Sequence, residues 1–269
     1  MSELATLTET LLAIVQNSRG WNVALLALSA FVASTLGANL SWRIANAPQS
    51  QFAQTARAWA AQRGMRALYQ TARLAFYLGL PFMALYLGWM DLRSIGLGAL
   101  DWAEGMRWAI VILLAAWLLL MLIWLPYLRA TADIPASDAQ FSFARRMVEM
   151  IYMQAHWMFY RGAAITLLTG VVTDAFYWGV IIGLGLTCLE AALDPRLGAR
   201  LQHIGAADGA IWNLGQAFLN ALAFLATHNL GLGLLIQFLL EVTVPHLRST
   251  RAAPRKLGVA QTPPRPTHK

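Results

Sequence analysis

The sequence predicts an all-α, polytopic transmembrane helical bundle of about seven spans, preceded by an amphipathic N-terminal segment. Three observations carry this expectation. Hydrophobic residues make up 58% of the 269-residue chain and charged residues only 12%, about half the charged share of a soluble domain. Apolar runs recur from residue 21 to residue 246, and a span needs about 20 such residues. Arginine and lysine gather in alternate connectors, as the positive-inside rule requires of a multi-pass protein. The chain therefore divides into an amphipathic segment over 1–20, a transmembrane domain over 21–246 and a basic, Pro-rich disordered tail over 247–269.

Leu4, Leu7, Leu11 and Ile14 recur at helical spacing, so 1–20 reads as a helix lying on the membrane surface. Glu3 and Glu9 stand where a cleavable leader would be basic, so no signal peptide is expected. The first span runs from Trp21 to Trp42, with an interfacial tryptophan at each end. Residues 43–66 hold Arg43, Arg57, Arg63 and Arg66 with Phe52 and Trp59, a basic surface connector. The second span, 67–90, contains Pro81, where a kink is expected because proline has no N–H to donate. After a Gly-rich loop over 91–106 comes 108–128, the most apolar span, with no charge. A polar connector over 129–146 leads into a fourth span over 145–170, and Thr169-Gly170 allows only a tight turn before the fifth, 171–191. Gly179, Gly183 and Gly185 give that span a small-residue face suited to close packing. Two short segments, 210–227 and 230–245, complete the membrane part around His228 and Asn229.

Connectors 43–66, 129–146, 192–209 and the tail hold most of the basic residues, and the alternate connectors hold almost none. That pattern places the N-terminus outside and the C-terminus in the cytoplasm of a bacterial-type inner membrane. The same loops account for the formal charge of +7 and the pI near 10.1, so nucleic acid is not an expected partner. Membrane lipid and other transmembrane helices are. A single cysteine, Cys188, excludes an intrachain disulfide and any multi-thiolate metal site. Its apolar surroundings predict a buried structural thiol.

The fourth span is the unusual one, because Glu149, Gln154, His156 and Arg161 interrupt its apolar residues. Ionisable groups at bilayer depth face a bundle interior or a cavity and mark candidate sites. At about 100° per residue, Glu149, Tyr152, His156 and Tyr160 share one stripe, and Gln154 and Arg161 share a second. The sixth span presents Asn213, Gln216, Asn220 and Thr227 on one stripe, and the seventh presents Gln237 and Glu241. Asp174, at the outer start of the fifth span, is the expected ion partner of Arg161. One plain reading is interhelical hydrogen bonding with a single buried ion pair. The sharper one is a polar groove between spans four to seven, formed by Gln154, His156, Arg161, Asp174, Asn213, Gln216, Asn220 and Gln237. A metal needs several converging His or carboxylate ligands, and only His156 stands at depth. A lone membrane histidine also serves as an axial ligand to a pigment. No Gly-rich phosphate loop is present, which argues against an ATPase or kinase.

Phe159-Tyr160-Arg161-Gly162 matches an aromatic-Arg-Gly motif, and with it residues 145–245 resemble the CPBP group, the CAAX-protease and bacteriocin-processing intramembrane proteases. That family places paired glutamates just before this motif, F-x-x-x-H on the next span and H-x-x-x-N on a late span. Here His156 and Trp157 fill the glutamate positions, Phe176 is followed four residues on by Val180, and the late site reads Gln237 and Glu241. Phe224 and His228 supply the F-x-x-x-H letters only at the outer turn. The resemblance implies a CPBP-like core whose catalytic set is largely lost. Its expected role is to bind a partner transmembrane segment, or a lipid or pigment, without cutting it. A rebuilt peptidase using Glu149, His156 and Glu241 is the alternative. An accessory subunit of an energy-converting complex, with His156 or His228 toward a cofactor, is the third.

Overall fold

The computed structural model describes residues 17–47, 50–98, 102–130 and 143–249. The expected amphipathic segment and Pro-rich tail lie outside these residues. The described chain is helical, with no strand. Helix α1 is Ser18–Asn46, α2 Gln51–Ala61, α3 Arg63–Leu74, α4 Leu80–Tyr86, α5 Trp102–Leu119, α6 Leu125–Ala130 and α7 Phe143–Leu168. Helices α8 (Ala175–Leu193), α9 (Pro195–Leu201), α10 (Ile204–Thr227) and α11 (Leu230–Ser249) follow. Four stretches among the described residues are long and apolar enough to cross a membrane: Ser18–Asn46, Trp102–Tyr127, Ala175–Leu193 and Ala206–Thr227.

Two prolines shape the second and third predicted spans. Ahead of Pro81, α3 runs through a π-helical turn, Ala75–Gly79, into α4, and Leu80 N–H reaches back to Ala75 O. Ahead of Pro126, the π turn Leu120–Trp124 joins α5 to α6, and Leu125 N–H reaches Leu120 O. Proline leaves a carbonyl one turn back without a donor, and a widened turn is one way a helix absorbs that. The kink expected at Pro81 therefore takes the form of a π segment just before it. The early part of this rod carries Arg63, Arg66 and Arg73, and it is not among the four apolar stretches.

α7 is the centre of the bundle. Every residue from Gln154 to Ile165 is buried, so the helix is enclosed on all sides rather than on one stripe. The enclosing helices are apolar and expose their outer residues: Leu28, Val32, Leu36 and Leu40 on α1, Val111, Leu114 and Leu118 on α5, and Ile181 and Ile182 on α8. Small residues let the neighbours close in. Asn17 caps α1 by accepting from Gly20 N–H, and its amide donates to Thr166 O and Leu167 O at the far end of α7. Val23, Ala27 and Ala30 then carry α1 down the α7 surface. Along α8, a Cβ at Gly179 would lie 2.7 Å from Ile165 Cα, and one at Gly183 would lie 2.7 Å from Arg161 Cα. The expected small-residue face is thus real at two positions. At Gly185 a Cβ would meet nothing within 4 Å, because that residue has turned to the outer surface. Cys188 is exposed on the same outer surface, which corrects the expected buried thiol.

These contacts fix the chain directions. α1 and α8 run antiparallel to α7, whereas α3–α4 and α10 run parallel to it. The segment after α4 folds back over Gly162, where a Cβ would lie 2.6 Å from the Met90 sulfur. Gly96, at φ +77°, leaves room for the Phe224 ring and accepts Leu230 N–H. The last two segments are longer than the 210–227 and 230–245 read from hydropathy. Residues 195–201 and 204–209, taken for loop, are helical; Asp194 caps the first of these segments, α9, accepting from Arg196 N–H, with Pro195 in its first turn.

Replacing Gly183 by valine should destabilise the bundle by about 1–3 kcal/mol, since the clash is with backbone atoms. Replacing Gly185 by valine should leave stability nearly unchanged. Thermal unfolding of the detergent-solubilised protein measures both.

Candidate functional site

The polar residues of α7 fall into two layers on different faces of the helix. The first is closed around Arg161. Arg161 as a whole is 2% exposed. Its Nη1 donates to Asn220 Oδ1 at 2.6 Å and to Asn220 O at 3.3 Å, and its ζ-carbon lies 4.5 Å from the Phe224 ring centre. Among the described residues Nε and Nη2 have no hydrogen-bond partner, nor do the side-chain amides of Gln154 and Gln216. Gln237 is buried on α11. A Cβ at Gly233 would lie 3.1 Å from Asn220 Nδ2 and 3.5 Å from Gln154 Nε2. The glycine therefore lets α11 close over these amides.

Asp174 does not belong to this layer. It is exposed at the N-cap of α8 and makes no ion pair with Arg161. The register of α8 explains the correction. Gly183 packs on Arg161, and Asp174 lies nine residues earlier, about 13 Å along the helix at 1.5 Å per residue.

The second layer opens into a cavity of about 230 Å³ between α1, α7, α8 and α10. Its centre is Glu190, near the C-terminal end of α8. Oε2 accepts from Tyr160 O–H at 2.7 Å and lies 2.8 Å from His156 Nε2, and Oε1 accepts from Ser34 O–H. His156 is held in place by Tyr77, edge-on at 5.3 Å, and by Phe76 at 5.8 Å. Asn213, Asp194 and Arg200 line the cavity farther out. This end of the bundle carries Arg43, Arg57, Arg63, Arg66, Arg146, Arg196 and Arg200.

Of the three residues read as a rebuilt catalytic set, only His156 reaches the cavity. Glu149 is held by Arg73 in a two-pronged ion pair, Nη1 to Oε1 at 2.8 Å and Nη2 to Oε2. The Arg73 guanidinium also lies against the Tyr77 and Tyr152 rings. Glu241 takes Trp212 Nε1–H at 2.8 Å and lies 3.5 Å from Arg146. Both carboxylates are thus committed on other sides of α7.

Sequence reading missed Glu190, Ser34 and Tyr77. Glu190 stood at the edge of an apolar span, where a carboxylate ordinarily faces water. The available signal was its placement on the same face of α8 as Gly179 and Gly183, seven residues beyond Gly183.

Among the described residues no group of three His, Cys, Asp or Glu side chains is arranged to hold a metal ion. A pigment needs a free imidazole nitrogen on an open face, whereas His156 Nε2 is taken by Glu190 and the ring is flanked by aromatics. No family model matches the chain, and no curated protein or solved structure does.

Asn220→Leu removes both the amide acceptor of Arg161 and its polar surroundings. It should destabilise the protein by about 3–5 kcal/mol, the range for stripping a buried charge of its partner. Asn213→Leu, at the cavity wall, should cost less than about 1 kcal/mol. Chemical denaturation in mild detergent separates the two.

Proposed function

We propose that this chain is a multi-pass protein of a bacterial-type inner membrane that binds the head of a membrane lipid in the Glu190 cavity without cutting it. The reading includes about seven crossings, a CPBP-like core, an outside N-terminus and a cytoplasmic C-terminus. The observation that carries it is the cavity itself: a pocket around a hydrogen-bonded carboxylate and imidazole, at the arginine-rich end of a bundle whose outer surface is apolar. Its volume of about 230 Å³ falls below the roughly 300–1,000 Å³ of pockets that enclose a drug-sized molecule. A partner helix is about 10–12 Å across with its side chains, so such a helix meets only the rim. A polar head entering from the bilayer surface, with its tails left in the membrane, suits both the size and the lining.

One observation favours a second reading, an intramembrane peptidase. His156 and Glu190 are hydrogen-bonded at the wall of the cavity, as a general base and its orienting partner would be. In that case a tethered transmembrane reporter is cleaved by the wild type and left intact by His156→Ala and Glu190→Gln.

The lipid reading predicts that the purified protein retains about one phospholipid per chain through a delipidating wash, as counted by native mass spectrometry. Ala191→Phe, at the cavity wall, should abolish retention and leave the melting temperature within a few degrees of wild type. Equal retention by that variant, or reporter cleavage, overturns the reading.

A further inference from the structure

The lipid-binding reading says where a head would sit, and the distribution of charge in the cavity says which kind. Two carboxylates, Glu190 and Asp194, and the His156 imidazole line the cavity, with one arginine, Arg200, exposed beside them. Glu190 accepts three donors from the protein, one on Oε1 and two on Oε2. A carboxylate offers about four lone-pair sites, so one on Oε1 is left for a donor from outside. Asp194 spends Oδ1 on Arg196 N–H and keeps Oδ2. At the rim, the Arg200 guanidinium is in no ion pair with the described residues and has the fork geometry that suits a phosphate. The interior calls for a cation that carries N–H donors, and the rim calls for an anion.

We propose that the cavity selects a phosphoethanolamine head, its primary ammonium directed to Glu190 and Asp194 and its phosphate to Arg200. This rests on the lipid-binding reading above. A quaternary ammonium carries the same charge and has no N–H, so it leaves the free Glu190 lone pair unmet. A glycerol head brings no cation.

The test uses the full-length chain, delipidated in detergent and titrated in native mass spectrometry. The probes are phosphatidylethanolamine, phosphatidylcholine and phosphatidylglycerol with identical tails, and water-soluble glycerophosphoethanolamine. Phosphatidylethanolamine should bind about tenfold more tightly than the other two lipids, the range for a hydrogen bond to a charged group. Glu190→Gln should erase that preference, and Arg200→Gln, a surface change that leaves the fold intact, should weaken all three lipids alike. Equal binding of the three lipids, unaltered by either variant, overturns the head-group assignment and leaves lipid binding standing. Glycerophosphoethanolamine binding as tightly as the lipid keeps the assignment and removes the membrane as its source. No binding of any probe overturns both.

Discussion

A helix that carries Gln154, His156 and Arg161 at its middle cannot face hydrocarbon, and the rest of the bundle follows from that constraint. Polar groups in a membrane interior must be shielded and paired. Here the shield is made of apolar helices whose inward faces are small: Val23, Ala27 and Ala30 on α1, Gly179 and Gly183 on α8, and Gly233 on α11. Their outward faces are leucine, isoleucine and valine. The apolar stretches are long and apolar enough to cross a membrane, whereas the polar middle of α7 is enclosed by protein.

Both polar layers are shielded, but they are paired to different degrees. Arg161 is closed off and receives an amide and an aromatic face in place of a carboxylate. Burying a charge in this way carries a desolvation cost, so it is weak evidence of net stabilisation. The Glu190 layer is half open. Its carboxylate is oriented by a serine, a tyrosine and a histidine from two other helices, so it is both fixed in position and accessible from the cavity. Fixed polar groups at the wall of an accessible cavity are suited to recognition. Tightly enclosed groups such as Arg161 are suited to holding helices in register.

Much of this was legible in the chain because hydrophobic patterning and charge placement are local. The positions of the apolar stretches follow from composition alone, and the inward aspect of His156 and Arg161 follows from the expense of the alternative. What needed coordinates was register. Whether Arg161 meets Asp174 or Asn220 depends on where α8 rests against α7, and Gly183 decides that by direct backbone contact. The same register brings Glu190 to His156 although the two are 34 residues apart. Glu149 and Glu241 share a level of α7 with plausible chemistry, yet arginines on other helices claim them first. The π turns before Pro81 and Pro126 were invisible to periodicity because each shifts the helical phase within a single turn.

The central claim is that the Glu190 cavity lies inside a membrane-embedded bundle and opens at its arginine-rich end. Thiol accessibility in oriented membrane vesicles tests it most directly, using Ala191→Cys at the cavity wall and Leu114→Cys on the outer apolar surface, each with Cys188→Ser. A membrane-impermeant maleimide applied from the arginine-rich side should label the first and not the second. Labelling of Ala191→Cys only from the opposite side, or labelling of Leu114→Cys by the same reagent, would contradict the account.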